Sequence, residues 1–136
     1  MIQSDSQIKV RYDEVDKMGY VYHGNYAKYF HISRTELMRA LGLSDSELEK
    51  YNVIMPVIEL NVKYLKPVFY DDIITIRTTL KEMPVTRMKF HHEVFNPDME
   101  KINEAESTLV FVNKQTRRPM KAPGILLEKL RHNADF

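Results

Sequence analysis

The chain has 136 residues, of which 43% are hydrophobic and 29% charged, and its net charge is +1. This length and apolar content suit one folded domain and exclude a largely disordered chain. A net charge near zero gives no field that would attract nucleic acid, and the lack of cysteine excludes disulfides, thiolate metal sites and a cysteine nucleophile. The N-terminus lacks a signal-peptide pattern, and no window has the roughly 18 apolar residues of a membrane helix. We therefore expect one cytoplasmic domain over residues 1–136, with no nucleic-acid partner and no membrane span.

The first predicted elements are a strand and a long helix. Residues 7–12 alternate between apolar and polar side chains, which is typical of a half-buried strand. A helix is then predicted from an N-cap at Asn25 to a C′ residue at Gly42. Ser44 and Glu47 have capping-box spacing and predict a short second helix. The long helix has an apolar stripe at spacings of three and four: Tyr26, Phe30, Ser33, Leu37, Ala40 and Leu41.

Four further strands are predicted in the rest of the chain. Residues 54–66, 73–83 and 87–96 alternate in polarity, and residues 102–113 are apolar on both faces towards their end, as in a central strand. A basic loop and a helical turn or two follow. One long helix with one antiparallel sheet is an α+β arrangement. We expect the four later strands to form a meander whose apolar face wraps the helix.

The connection between the first strand and the long helix concentrates chemically capable side chains. Asp16 follows the strand, Gly19 permits a tight turn, and His23 precedes the helix start, where backbone N–H groups and the helix dipole favour an oxyanion. An acid facing such donors has the elements of acyl transfer, with the carboxylate as nucleophile or general base. A thiolate is a good leaving group because its pKa is near 8.5. Taken singly, Asp16 equally suits a turn and His23 a helix cap.

The same connection carries a family motif. The stretch "YDEVDKMGYVYHGNY" fills every fixed position of Y-x-x-x-D-x-x-G-x-V-x-x-x-x-Y, and "YLKPVFYDDIITI" and "RRPMKAP" match later motifs in the right order. Over about residues 5–125 the chain resembles the 4-hydroxybenzoyl-CoA thioesterase family of hotdog-fold acyl-CoA thioesterases. It is similar to the branch typified by the thioesterase associated with the Tol-Pal system. Tyr20 departs from the pattern, since a small aliphatic residue usually follows the glycine.

This resemblance implies a hotdog fold, in which a mostly antiparallel five-stranded sheet wraps one long central helix. It implies hydrolysis of a thioester of CoA or of an acyl carrier protein, with a small to medium or aromatic acyl group and no cofactor. It also implies a homodimer or homotetramer with active sites at the dimer interface. Asp16 matches the catalytic carboxylate, and His23 the residue whose backbone N–H polarises the carbonyl and whose side chain is catalytic in the similar branch. The positions that would shape the substrate site are Tyr12, Gly19, Val21 and Tyr26.

Other polar residues offer weaker candidates. Arg87, Lys89 and Arg118 suit the phosphates of CoA, or they are simply solvated surface cations. His91 and His92 are adjacent on a strand and should point to opposite faces, so we expect no metal site. Glu36 is either an alternative catalytic carboxylate on the helix or the partner of a basic neighbour there.

Two other functions remain open at this point. A hotdog hydroxyacyl-thioester dehydratase needs a histidine and an acid across the interface, whereas the Asp-x-x-Gly motif has the thioesterase arrangement. A non-catalytic module that binds acyl-CoA or acyl carrier protein would have the same fold without chemistry. The presence of Asp16 argues against the second.

Overall fold

The computed structural model describes residues 1–133; the last three residues of the predicted domain, 134–136, lie outside the described residues. Within the described part, no helix combines the length and apolar content that crossing a membrane requires. The elements in chain order are β1 (Ile2–Lys9), a 3-10 turn (Tyr12–Glu14), α1 (Asn25–Ala40), α2 (Asp45–Glu49), β2 (Val53–Ile54), β3 (Val57–Tyr64), β4 (Ile73–Leu80), β5 (Arg87–Phe95), β6 (Lys101–Asn113), β7 (Pro119–Met120) and α3 (Gly124–Asn133).

The five long strands form one antiparallel sheet in the order β1-β4-β5-β6-β3, and the two-residue strands β2 and β7 pair with the end of β6. The long helix α1 packs across one face of this sheet and contacts β1 and β4. This is the predicted α+β hotdog arrangement, with two minor strands added to the five expected. The prediction of the fold class is confirmed.

Strand faces follow the alternation in the sequence. In β4 and β5 one set of residues is buried under the helix, while Arg77, Lys89 and Glu93 lie on the outer face. Strand β6 is flanked by β5 and β3, so it is an interior strand of the sheet. The buried set matches the predicted inner face and comprises Ile74, Ile76, Thr78, Leu80, Met88, Phe90, His92 and Val94.

The predicted bounds of the first strand are wrong. Strand β1 begins at Ile2 and ends at Lys9, because its ladder with β4 runs from the pair of Ile2 and Leu80 to the pair of Lys9 and Ile73. The chain then leaves the ladder, and Tyr12 lies in the 3-10 turn with 78% of its surface exposed. Alternation alone does not reveal where the pairing partner ends.

The predicted meander is also wrong in one respect. Strands β4, β5 and β6 follow one another, but β3 pairs with β6 rather than with β4, with Tyr64 opposite Asn103. As a result β3 is an edge strand, and its outer side pairs with no strand among residues 1–133. Two of its helix-facing residues are exposed because no part of the described chain covers them: Ile58 is 50% exposed and Leu60 37%.

The long helix begins one residue away from the predicted cap. Gly24 is the N-cap, and the Asn25 side chain instead donates to the carbonyl oxygen of Glu14 at 2.8 Å. At the other end Gly42 has φ +79°, which confirms it as the left-handed residue after the helix. Of the last three residues in the predicted stripe, Leu37 is buried, Ala40 is exposed, and Leu41 is buried just after the helix ends. The Ser44 cap of α2 is confirmed, while α3 is longer than predicted, with 10 residues.

A hydrogen-bonded histidine lies in the core between α1 and the sheet. His92 Nδ1 is 3.0 Å from Thr78 Oγ1, and Nε2 is 3.0 Å from Ser107 Oγ. Its ring stacks on Phe30 with a centroid distance of 4.7 Å. Burial, and then the charges of Arg34 and His91, lower the pKa of His92 to about 3. The imidazole is therefore neutral in the folded protein at ordinary pH.

Because His92 is buried and neutral, we expect the free energy of unfolding to fall in acid. Below its ordinary pKa near 6.5 His92 takes up a proton in the unfolded chain but not in the folded one, so the free energy of unfolding falls as pH drops towards 3. We expect its share of the loss to be about 2–3 kcal/mol between pH 6.5 and 4.5. Urea unfolding of the wild type and His92→Gln at both pH values measures it. Equal losses in the two proteins would contradict this role of His92.

Candidate active site

The connection from β1 to α1 folds back as a tight loop in which Val15 and Val21 form an antiparallel bridge. Asp16 closes the loop, since its Oδ1 accepts the backbone N–H groups of Met18 at 2.9 Å and Tyr20 at 3.2 Å. The Asp16 side chain is half-buried, and Oδ2 makes no hydrogen bond or ion pair within residues 1–133. One carboxylate oxygen therefore holds the loop, and the other is available for chemistry.

Gly19 makes this loop possible. It has φ +83°, and its N–H donates to the Asp16 carbonyl oxygen at 3.0 Å. A Cβ added to Gly19 would meet no atom within 4 Å, so space is not the constraint. The constraint is the backbone conformation, because residues other than glycine are strained at this φ.

Glu14 ties the loop to the helix. Its side chain is 3% exposed, its carboxylate is ion-paired with Lys28 on α1, and Oε1 accepts the Arg11 N–H at 2.8 Å. Burial opposes ionisation, but the Lys28 ammonium and the Arg11 N–H outweigh it, so the pKa of Glu14 lies below its ordinary value. The Glu14 carbonyl oxygen also accepts the Tyr22 N–H at 2.9 Å. Glu14 thus fixes the position of Asp16, two residues away, relative to the start of α1.

The start of α1 presents free backbone donors. The N–H groups of His23 and Gly24 donate to no acceptor in the described part of the chain. The ring of Tyr22 lies against Gly24, where a Cβ would be 2.6 Å from Tyr22 Cε2. Free amides at the positive end of a 16-residue helix favour a negative charge. Asp16 and these donors together have the parts needed for attack on a carbonyl group.

Aromatic rings surround these donors. The rings of Tyr22 and His23 are 4.4 Å apart, and those of Tyr26 and Tyr64 are 5.6 Å apart. The Tyr64 hydroxyl donates to the His23 carbonyl oxygen at 3.4 Å, a long hydrogen bond. Burial and then the neighbouring Tyr64 raise the pKa of Tyr26, so its phenol stays protonated. Tyr26 can line a site but does not act as a base.

The structure brings most of the predicted site residues together in this connection. Asp16, Gly19 and His23 lie on it, and Tyr26 is in the first turn of α1. Val21 is buried, and its N–H donates to the Val68 carbonyl oxygen at 2.9 Å, so its side chain belongs to the core. Within residues 1–133, Tyr12 makes no hydrogen bond with Asp16 that would place it at the site. Its ring packs edge-on against Tyr70, with 5.5 Å between the ring centroids. Its role at the site stays a prediction.

The basic candidates lie elsewhere in the chain. Arg87 and Lys89 are exposed on the outer face of β5, near the strand end opposite Val110. At about 3.4 Å per residue, Arg87 is roughly 24 Å from the Val94 end of β5, which packs in the same cluster as Val21. Arg118 is exposed in the loop before β7. Within one chain these three cations are not brought to the Asp16 loop.

The remaining polar candidates have ordinary partners. His91 lies on the outer face with Nδ1 3.4 Å from Glu106, while His92 is buried, so the two rings do point to opposite faces. Glu36 is ion-paired with Arg39 on the helix surface. Among residues 1–133, no group of three or more histidine and acidic side chains could hold a metal ion.

Two residues of the site were not identified from the sequence. Glu14 is one of three acids between β1 and Gly19, and nothing in its local pattern distinguishes a buried anchor from the exposed Asp13. Tyr64 lies in the "YLKP" motif, but its contact with His23 joins residues 41 positions apart. Its position in the motif could have identified Tyr64 as a site residue, whereas no sequence signal identifies Glu14.

Over most of its length the chain is similar to known thioesterases. The family model described as the thioesterase-like superfamily matches residues 10–130. The acyl-CoA thioester hydrolase YbgC of Escherichia coli O6:H1 is 28% identical over 124 residues, which cover 91% of this chain and 92% of YbgC. YneP of Bacillus subtilis (strain 168), whose name gives acyl-CoA thioesterase as a provisional assignment, is 33% identical over 87% of this chain and 86% of its own.

Solved structures agree with these matches. The DHNA-CoA thioesterase from Staphylococcus aureus superposes with a TM-score of 0.84 and 36% sequence identity, over 89% of this chain and 81% of that one. A hypothetical protein from Thermus thermophilus superposes with a TM-score of 0.87 and 27% identity, over 95% of this chain and 98% of that one.

Proposed function

Since the chain belongs to the thioesterase-like superfamily and is a thioester hydrolase, we propose that it hydrolyses acyl-CoA thioesters with Asp16 as the catalytic carboxylate. The observation that carries this proposal is the hydrogen bonding of one short connection: Asp16 Oδ1 accepts two backbone N–H groups, while Oδ2 and the N–H groups of His23 and Gly24 have no partner within residues 1–133. The N–H groups of His23 and Gly24 are the oxyanion donors.

The reaction follows from these groups. Asp16 either deprotonates a water molecule that attacks the carbonyl carbon, or attacks it directly and is freed by water in a second step. The carbonyl oxygen becomes negative and is stabilised by the His23 and Gly24 amides. The C–S bond then breaks, and the thiolate leaves without strong acid assistance because thiols are fairly acidic, with a pKa of about 8.5 for cysteine. The products are a free acid and a thiol.

The acyl group is proposed to be aromatic or a small to medium chain. The rings of Tyr22, Tyr26 and Tyr64 around the donors support this, since aromatic side chains pack well against flat acyl groups. The similar S. aureus protein is named as a thioesterase of DHNA-CoA. An acyl carrier protein in place of CoA would present the same thioester to the same groups.

The active form is proposed to be a homodimer, or a homotetramer built from it, joined through β3. An unpaired edge strand with exposed apolar residues is a ready partner for a second strand. Antiparallel pairing of two β3 strands reverses one relative to the other, which brings the Val57 end of one copy beside the Tyr64 end of the other. Arg87 and Lys89 lie towards the Val57 end, so this pairing would place them at the end of the combined sheet where the other copy's Asp16 loop lies.

This geometry predicts the effect of removing a phosphate contact. In Arg87→Ala we expect KM for acyl-CoA to rise about five- to tenfold with kcat nearly unchanged, because the lost contact binds ground state and transition state alike. The matching acyl-pantetheine, which lacks the nucleotide, should be hydrolysed as before. Lys50→Ala, which removes an exposed cation directly after α2, is the control. An equal KM rise for both thioesters would contradict a nucleotide contact.

Analysis of the products tests the proposed reaction itself. Incubation of the protein with hydroxyacyl-CoA and plain acyl-CoA, followed by mass spectrometry, should give the free acid and free CoA. An enoyl thioester without thiol release would identify a dehydratase instead. Binding of the thioesters with no product would identify a binding module.

A further inference from the structure

One amide in the core of this protein has no partner. Asn103 lies in β6 with an exposed fraction of 0%, and neither Nδ2 nor Oδ1 makes a hydrogen bond in the described part of the chain. Because its cross-strand partner in β5 is the buried Val94, its side chain is on the face of the sheet that α1 covers. A donor and an acceptor are thus both buried and unused.

This is an unfavourable choice for a purely structural residue. Burying an amide without hydrogen bonds costs free energy, and an apolar residue with the same branched shape, such as leucine, would avoid that cost. Buried His92, which lies two residues from Val94 on β5, differs from Asn103 because both of its ring nitrogens have hydrogen-bond partners. A buried polar group left unsatisfied calls for an explanation outside the packing of the chain.

Asn103 lies next to the proposed active site. It is directly opposite Tyr64, whose ring contacts Tyr26 and whose hydroxyl reaches the His23 carbonyl oxygen. The residue before it, Ile102, accepts the N–H groups of Leu65 and Lys66 through its carbonyl oxygen. The same segment continues to Val68, whose carbonyl oxygen accepts the Val21 N–H and so holds the Asp16 loop.

We propose that the Asn103 amide is a polar subsite that binds a hydroxyl group on the acyl part of the substrate, and that Tyr64 covers it until substrate enters. This inference rests on the proposed thioesterase function. Tyr64 is 51% exposed on an edge strand and is held by a hydrogen bond of 3.4 Å, so its side chain can turn away at little cost. Turning uncovers Asn103 beside the ring of Tyr26.

A hydroxyl group can pair with both unused atoms of an amide. Its hydrogen donates to Oδ1 while its oxygen accepts from Nδ2, so one substituent satisfies both atoms. An acyl group that lacks the oxygen would leave them unpaired. Sites built to bind a hydroxyl reject the analogue without it far more strongly than apolar pockets reject an added group.

Matched substrates test this subsite. We would measure kcat/KM for 4-hydroxybenzoyl-CoA against benzoyl-CoA and for 3-hydroxybutyryl-CoA against butyryl-CoA. The expected result is a preference of about tenfold or more for the hydroxylated member of at least one pair, and its loss in Asn103→Leu. Asn61→Leu, the same change on the outer face of the neighbouring strand β3, should keep the wild-type preference.

Two further readouts separate the possible outcomes. A structural role for Asn103 predicts a lower Tm in Asn103→Leu and an equal loss for both members of a pair; a subsite predicts an equal or higher Tm and a selective loss. Calorimetric binding of the same pairs to Asp16→Asn, with and without Asn103→Leu, gives the preference without turnover. If no thioester is hydrolysed, the thioesterase proposal fails, and the binding preference alone decides on Asn103. An absence of preference in both assays would overturn the subsite.

Discussion

Replacement of Asp16 by asparagine is expected to lower kcat for thioester hydrolysis by about a hundredfold or more, as for other direct participants in chemistry. The change is well matched to the structure. The asparagine Oδ1 can still accept the N–H groups of Met18 and Tyr20, so the loop should keep its shape. The free Oδ2 is replaced by an NH₂ group, which neither takes a proton nor attacks a carbonyl carbon. We therefore expect Tm to be nearly unchanged.

Asp13→Asn is the control for this experiment. Asp13 is an exposed acid in the same connection, and its carboxylate lies near Arg11 on the surface. Its replacement removes the same charge without touching the Asp16 loop, so kcat should stay within about twofold. If Asp16→Asn retains wild-type activity, the family assignment still holds, but the catalytic carboxylate is a different residue.

A charge placed on β3 is expected to separate the proposed dimer. Leu60 is 37% exposed in the isolated chain and would be covered by a second copy that pairs along β3. Lysine at this position would bury an unpaired charge at the contact, which costs several kcal/mol. We expect Leu60→Lys to be monomeric by light scattering and to lose at least tenfold in kcat/KM, because the proposed site needs the partner copy.

Val85→Lys provides the matched control. Val85 is 66% exposed in the turn between β4 and β5, away from the β3 edge, so the same chemical change should leave mass and activity nearly as in the wild type. A Leu60→Lys protein that stays dimeric would exclude β3 as the interface. A monomer with full activity would show that the site is complete within one chain.

The elements that could be predicted from the sequence are those whose signal is local. The periods of 3.6 and 2 in α1, β4 and β5 report directly which side chains face the core, and they correctly placed Phe90 inside and Lys89 outside. The cap at Ser44 and the left-handed position of Gly42 are likewise set by neighbouring residues. These local rules give the helix and the strands but not their arrangement.

The errors concern contacts between distant residues. The extent of β1 depends on its ladder with β4, 72 residues away at the pair of Asp5 and Arg77. The position of β3 depends on β6 having two sides available for pairing, which polarity does not encode. The alternation along β3 predicts a buried apolar face, but residues 1–133 leave the apolar side chains of that face exposed.

The candidate site divides in the same way. Its motif identified the Asp16 loop because the turn at Gly19 and the helix start are consecutive in the chain. The anchoring role of Glu14 and the unpaired amide of Asn103 depend on burial and on partners across the fold. Neither property can be read from the residues on either side of them.

The central claim is tested most directly by the rate of free CoA release from a panel of aromatic and short- to medium-chain acyl-CoAs, measured with the wild-type protein. We expect at least one thioester to be hydrolysed far faster than in a protein-free control, with one free acid formed per thiol. Binding of every panel member with no thiol released from any would contradict it and would make the protein an acyl-CoA-binding module.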